Sequence, residues 1–159
     1  MKKINSKKIG IALAAVLVIL QFIRPTKNGS WEKSENDISL AINVPTNVHQ
    51  ILQTSCYDCH SNHTTYPWYT NIQPLGLWMQ HHVDEGKEEL NFSEFKTYTQ
   101  KRQKHKLEEI AEQVSEHEMP LSSYTLIHKN AALSPEQMTL LTNWANAEFA
   151  KIIVPTETK

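Results

Sequence analysis

Cys56-Tyr57-Asp58-Cys59-His60 is a C-x-x-C-H pentapeptide, and it holds the only two cysteines of the 159-residue sequence. Two thiols three positions apart can each add across one vinyl group of a haem. A histidine directly after the second thiol then lies under the porphyrin plane, where it can ligate the iron. The same spacing admits a redox dithiol, half of a zinc site, or two buried thiols without chemistry. The histidine at the required position selects covalent c-type haem among these readings. One such pentapeptide implies one haem.

The sequence on either side reads as helical. Pro45 suits the first turn of a helix, and Val48, Ile51 and Leu52 then form one apolar stripe that runs into Cys56. After His60, the stretch Ser61–Tyr69 is polar and then aromatic, and Pro67 forbids a regular helix through it. It is expected as a loop along the haem edge, with Tyr66, Trp68 and Tyr69 covering the ring or donating to propionates. A second helix is expected from Leu77 to Val83 and ends at Gly86. A metal-bound imidazole commonly donates its other ring N–H to a carbonyl, and the Pro74 carbonyl is the expected acceptor. His81 and His82 are adjacent on that helix and point about 100° apart, so at most one of them faces the haem.

In the second half, Ser93 reads as an N-cap leading into Phe95 and Tyr98. The basic run at 100–106 reads as a solvated face. Leu107, Ile110, Ala111 and Val114 mark an amphipathic helix that ends near His117. Met119-Pro120 follows on a loop, where a thioether can reach the iron from the distal side. Met79 and Met138 lie within helices and suit that role less. Ser134-Pro135-Glu136-Gln137 is a capping box. The helix it opens carries Met138, Leu141, Ala145 and Phe149 and is expected to pack across the Pro45 helix. No strand-period segment, Gly-rich phosphate loop or Ser/His/Asp arrangement is found.

Near the N-terminus, the apolar run Ile9–Ile23 follows four lysines and lacks a small-x-small cleavage pattern. It reads as an uncleaved anchor, although as a helix it spans only about 22 Å against a hydrocarbon core of roughly 30 Å. The lysines place the N-terminus in the cytoplasm and residues 25–159 on the periplasmic side of the inner membrane. Five of the 16 basic residues (Lys2, Lys3, Lys7, Lys8 and Arg24) lie in this segment, leaving 11 basic against 17 acidic residues beyond it. That acidic body argues against a nucleic-acid partner and permits docking on the basic patch of a redox partner. The expected divisions are a basic n-region over 1–8, an anchor over 9–23, a linker over 24–44 with a flexible tether at Asn28-Gly29-Ser30, the haem domain over 45–152, and a tail over 153–159.

Over roughly residues 40–150, the chain resembles a small family of membrane-anchored, haem-binding c-type domains of the cell envelope. The resemblance is carried by Val44-Pro45, Cys-Tyr-Asp-Cys-His-Ser-Asn at 56–62, Tyr66-Pro67-Trp68-Tyr69, His82-Val83 with Glu85-Gly86, Leu90-Asn91-Phe92-Ser93, and Glu118-Met119-Pro120-Leu121. Phe22-Ile23-Arg24-Pro25 after the anchor also fits. The resemblance implies haem attachment at Cys56 and Cys59 with His60 as proximal ligand. More distantly, the layout is similar to class I cytochromes c, which makes Met119 the distal ligand; the glycine usual before the proline is here Gln73. His82 stays open as the alternative distal ligand.

The resulting expectation is an all-α, cytochrome c-like domain around one covalent haem, preceded by a transmembrane helix. The cofactor-binding residues are Cys56, Cys59, His60, Met119, Trp68, Tyr69, Pro74, Trp78 and Tyr124. The expected function is one-electron transfer rather than enzymatic turnover; a haem sensor or peroxidase-like enzyme with an open distal site is the alternative.

Overall fold

The computed structural model describes residues 6–29 and 34–154. These form seven α-helices: α1 Ser6–Leu20, α2 Thr46–Ser55, α3 Tyr57–His60, α4 Leu75–Glu89, α5 Gln100–Ser115, α6 Ser122–Ile127 and α7 Pro135–Lys151. Short 3-10 turns at Ile38–Leu40, Trp68–Asn71, Phe92–Thr97 and Lys129–Ala131 connect them. Among the described residues, β-pairing is limited to an isolated antiparallel bridge between Gly29 and His63. The domain is all-α.

The core forms where the apolar stripes of α2, α5 and α7 meet. Val48, Ile51 and Leu52 of α2 face Leu107, Ile110, Ala111 and Val114 of α5 and Leu141, Trp144 and Ala145 of α7. Phe92 and Phe95, both fully buried, close the stack from the 3-10 turn. Burying a side chain of this size contributes about 1.5–3 kcal/mol relative to leaving it exposed. The α7 helix packs mainly along α5 and only secondarily on α2. Its start is the capping box expected from Ser134 and Gln137. The Trp144 indole N–H donates to Asn43 O at 2.9 Å, so this large residue is buried with its polar tip satisfied.

Three local expectations change. Gly86 does not end α4, which runs on to Glu89 because Leu90 N donates to Gly86 O at 2.9 Å. Asn91 rather than Ser93 caps the following turn, accepting from Ser93 N at 3.0 Å. Lys106 departs from the solvated basic face and is only 8% exposed.

The expected transmembrane helix is not found among the described residues. The α1 helix stops at Leu20, after 15 residues, and no helix among the described residues is long and apolar enough to cross a membrane. The apolar run is cut short because Gln21 turns out of the helix to pair with the domain. Its amide nitrogen donates to Gln73 O at 3.0 Å and its amide oxygen accepts from Gln73 N at 3.0 Å. The segment that follows is docked as well, and Asn28 is not part of a free tether. Its backbone N–H donates to Tyr66 Oη, its side chain donates to Ser61 O and Thr64 Oγ1, and it accepts from Lys87 Nζ.

Gly76 sits where the start of α4 crosses the Trp68–Asn71 turn. A Cβ there would strike the Thr70 carbonyl, with the Gln73 side chain at 3.0 Å. Gly76→Ala is expected to destabilise the fold by about 1–3 kcal/mol through overpacking against backbone, read as a lower urea midpoint at unchanged slope.

Candidate functional site

Cys56 ends α2 and opens the single turn of α3 that carries Cys59 and His60. His60 and Cys59 donate their backbone N–H groups to Cys56 O at 2.9 and 3.2 Å, which closes the pentapeptide into one helical turn. Both cysteines are free thiols.

The His60 ring is fixed from behind. Its Nδ1 lies 2.8 Å from Gly86 O and 3.0 Å from Leu90 O. Carbonyl oxygens only accept, so Nδ1 carries the proton and Nε2 presents a lone pair. Burial pushes the His60 pKa down, against the opposing pull of the Leu90 and Gly86 hydrogen bonds, and the ring is held neutral. The expected acceptor was Pro74, but Pro74 O takes Trp78 N at 3.0 Å as the first turn of α4 closes. The carbonyls that reach His60 come from the other end of the helix. The imidazole N–H is shared between Gly86 O, which also accepts from Leu90 N, and Leu90 O just past the last turn of the helix. Gly86 makes the approach possible, since a Cβ there would lie 2.8 Å from Cys59 O and 3.1 Å from Cys59 Cβ.

In front of His60 lies a cleft of about 490 Å³, lined by both cysteines, His82, Glu85, Gly86, Met119, Pro120, Leu121 and Tyr124 among others. A second lobe of about 210 Å³ reaches inward over Leu52, Leu90, Phe92, Ile110, Val114 and Leu141. Cys56, His60 and Met119 border both lobes. Asp58, Glu85, Glu88 and Glu89 make the outer lobe acidic. The inner lobe is mostly apolar, with Lys106 at its wall. Lys106 Nζ bonds Glu109 at 2.6 Å and Glu89 at 3.3 Å. Burial works against its charge, but these two carboxylates outweigh burial and raise its pKa.

Met119 reaches the cleft from the end of α5. His117 takes a left-handed conformation (φ 61°), and Glu118 N and Met119 N both donate to Gln113 O, at 2.9 and 3.1 Å. Tyr124, on α6, donates its hydroxyl to Asp58 Oδ2 at 2.5 Å. Burial, with the Asp58 contact added, pushes its pKa up and keeps the phenol a donor.

The structure thus gathers Cys56, Cys59, His60, His82, Met119 and Tyr124 at one cleft, and leaves other expected residues outside it. Trp68 is 75% exposed, and Tyr69 pairs its hydroxyl with His128 Nε2 at 2.6 Å. Trp78 does not line the cleft but stands edge-on to His82, with ring centroids 4.6 Å apart. Tyr66 donates to Gln80 instead of facing the cleft. Of the adjacent pair, His82 faces the cleft, whereas His81 points to solvent and pairs with Glu85. Sequence reasoning missed the structural role of Gly86, the signal for which was a glycine inside a helical pattern. Nothing in the sequence marked Lys106 or the Asp58–Tyr124 contact.

A cleft of this size lies within the range of small-molecule and cofactor sites. Its donor set is a neutral imidazole, a thioether and two thiols around an apolar chamber, which suits an iron porphyrin. Among the described residues, no group of three or more His, Cys, Asp or Glu is placed to hold a metal ion by itself. The haem-binding domain family matches residues 15–147, from within α1 to within α7. The chain belongs to that family. Haem binding is therefore its chemistry, and the match takes in the docked segment at 21–29 as well as the helical core. Neither a curated protein nor a solved structure matches the chain.

Burial, with Cys56–Cys59 repulsion added, pushes the Cys56 thiol up to about 12; burial, with the Asp58 charge added, pushes Cys59 to about 11. The haem-free folded protein is expected to react with iodoacetamide at about pH 8 more than tenfold slower than the same chain in denaturant, because only thiolate reacts. The folded-state rate should climb as pH approaches the raised pKa values.

Proposed function

We propose that the protein carries one haem bonded through Cys56 and Cys59, with His60 as proximal and Met119 as distal ligand, and works as a one-electron carrier. The observation that carries this reading is the convergence of both thiols, the bare Nε2 of His60 and the Met119 loop on one cleft. When bound, haem supplies a one-electron iron couple whose potential rises with thioether ligation. The chain's own residues do the rest. His60 is oriented by Gly86 O and Leu90 O and kept neutral by its burial. The inner lobe offers the apolar side chains of Phe92 and Leu141 among its lining, and electrostatic contacts are stronger in such low-dielectric surroundings. The acidic rim of Asp58, Glu85, Glu88 and Glu89 suits a redox partner with a basic face. On this reading, the domain matures and acts on the outer side of the inner membrane, where covalent haem attachment takes place.

The position of His82 on the outer lobe favours one second reading, a sensor or peroxidase-like protein with a displaceable distal ligand. Carbon monoxide separates the two. The ferrous carrier is expected to leave its spectrum unchanged under CO, and Met119→Ala to bind CO readily and lose the red-end ferric band of a sulfur-ligated iron. CO binding by the unmodified protein, with His82→Ala rather than Met119→Ala changing the spin state, would support the second reading instead.

A further inference from the structure

We propose that Tyr124, through its hydrogen bond to Asp58, is the positioning residue that holds Met119 over the cleft. The inference rests on the reading of Met119 as distal ligand. It begins from how little else holds the distal lip. The six-residue helix α6, which begins three residues beyond Met119, has no buried side chain, and its Leu126 is 68% exposed. Its packing partner is the adjoining turn at Lys129–Ala131. Apolar burial therefore does not fix this segment, and hydrogen bonds must.

On its N-terminal side, the Met119 segment is pinned to α5 by the two N–H groups that share Gln113 O. On its C-terminal side, the tie is Tyr124 Oη to Asp58 Oδ2 at 2.5 Å. Asp58 is a rigid post. It stands inside the pentapeptide, its other carboxylate oxygen accepts from Thr65 N at 2.9 Å, and its backbone carbonyl accepts from Thr64 Oγ1 at 2.6 Å. The Tyr124 ring is stacked on His128 at 4.2 Å and 11°, and His128 is bonded to Tyr69. Tyr124 thus bridges the haem-attachment turn and the segment that carries Met119, and it lines the cleft between them. A hydrogen bond to a charged acceptor is among the stronger ones in proteins. Losing it frees the Met119 loop on one side and leaves the thioether easier to displace.

The test is exogenous imidazole binding to the ferric holoprotein, full chain, with thermal melting alongside. Tyr124→Phe, which deletes one oxygen, is expected to tighten imidazole binding about tenfold or more and to weaken the sulfur–iron band. Asp58→Asn, which keeps one neutral acceptor oxygen for the two donors Tyr124 and Thr65, is expected to fall between the unmodified protein and Tyr124→Phe, and Asp58→Ala should match Tyr124→Phe. Adding Tyr124→Phe to Met119→Ala should change nothing further, because the effect passes through Met119. Unchanged imidazole affinity in Tyr124→Phe, with Met119→Ala strongly affected, overturns the positioning role and leaves the ligand assignment standing. A lowered melting temperature without a change in imidazole affinity overturns it equally, as plain structural loss. If Met119→Ala itself leaves the spectrum and affinity unchanged, both the proposal and the ligand assignment fall.

Discussion

The hydrogen bonds from His60 Nδ1 to the carbonyls of Gly86 and Leu90 are the constraint on which the site depends. They do three things at once. They add a donor at the end of α4, to Leu90 O just past its last turn and to Gly86 O, which also accepts from Leu90 N. They place the proton on Nδ1, which leaves Nε2 bare and aimed away from α4. They also put the negative end of a helix behind the ring, which favours positive charge developing on it and raises its basicity as a ligand. For these bonds to form, α4 must lie directly on the pentapeptide turn, and that is possible only where Gly86 presents no side chain to Cys59. The proximal wall is thus a helix end, a glycine and an imidazole that require one another.

The opposite wall is built on different terms. The proximal side rests on a packed core through α2, Phe92 and the α5–α7 pair. The distal side rests on polar ties, the shared Gln113 carbonyl before Met119 and the Tyr124–Asp58 bond after it. A site with one packed wall and one hydrogen-bonded wall can hold His60 fixed while the Met119 side responds to small changes. Charge is divided in a related way, with carboxylates around the outer lobe and an apolar chamber further in whose one cation, Lys106, is already matched by Glu89 and Glu109.

The parts of this arrangement legible in the sequence were those set by local spacing. The pentapeptide, the α2 stripe of Val48, Ile51 and Leu52, the α5 stripe and the Ser134 capping box each depend on residues within a turn or two of one another. What could not be read depends on contacts between distant segments. Asp58 and Tyr124 are 66 residues apart, and nothing local to either marks the other. Gly86 looked like a helix stop because glycine often is one; its use here is close approach to another segment. Trp68 looked like haem cover because of its type and place in the chain, yet the loop turns it outward to solvent. The N-terminal apolar run read as an anchor because it lacks a cleavage pattern, although it was already short for a bilayer, and the pairing of Gln21 with Gln73 leaves a still shorter helix ending at Leu20.

Covalent attachment of one haem at Cys56 and Cys59 is the centre of this account, and intact-mass spectrometry of the mature full chain under denaturing conditions tests it most directly. The account predicts a single species at the polypeptide mass plus one haem, and a bare polypeptide when both cysteines are replaced by alanine. A bare polypeptide from the unmodified protein, with its haem released into the solvent, would contradict it.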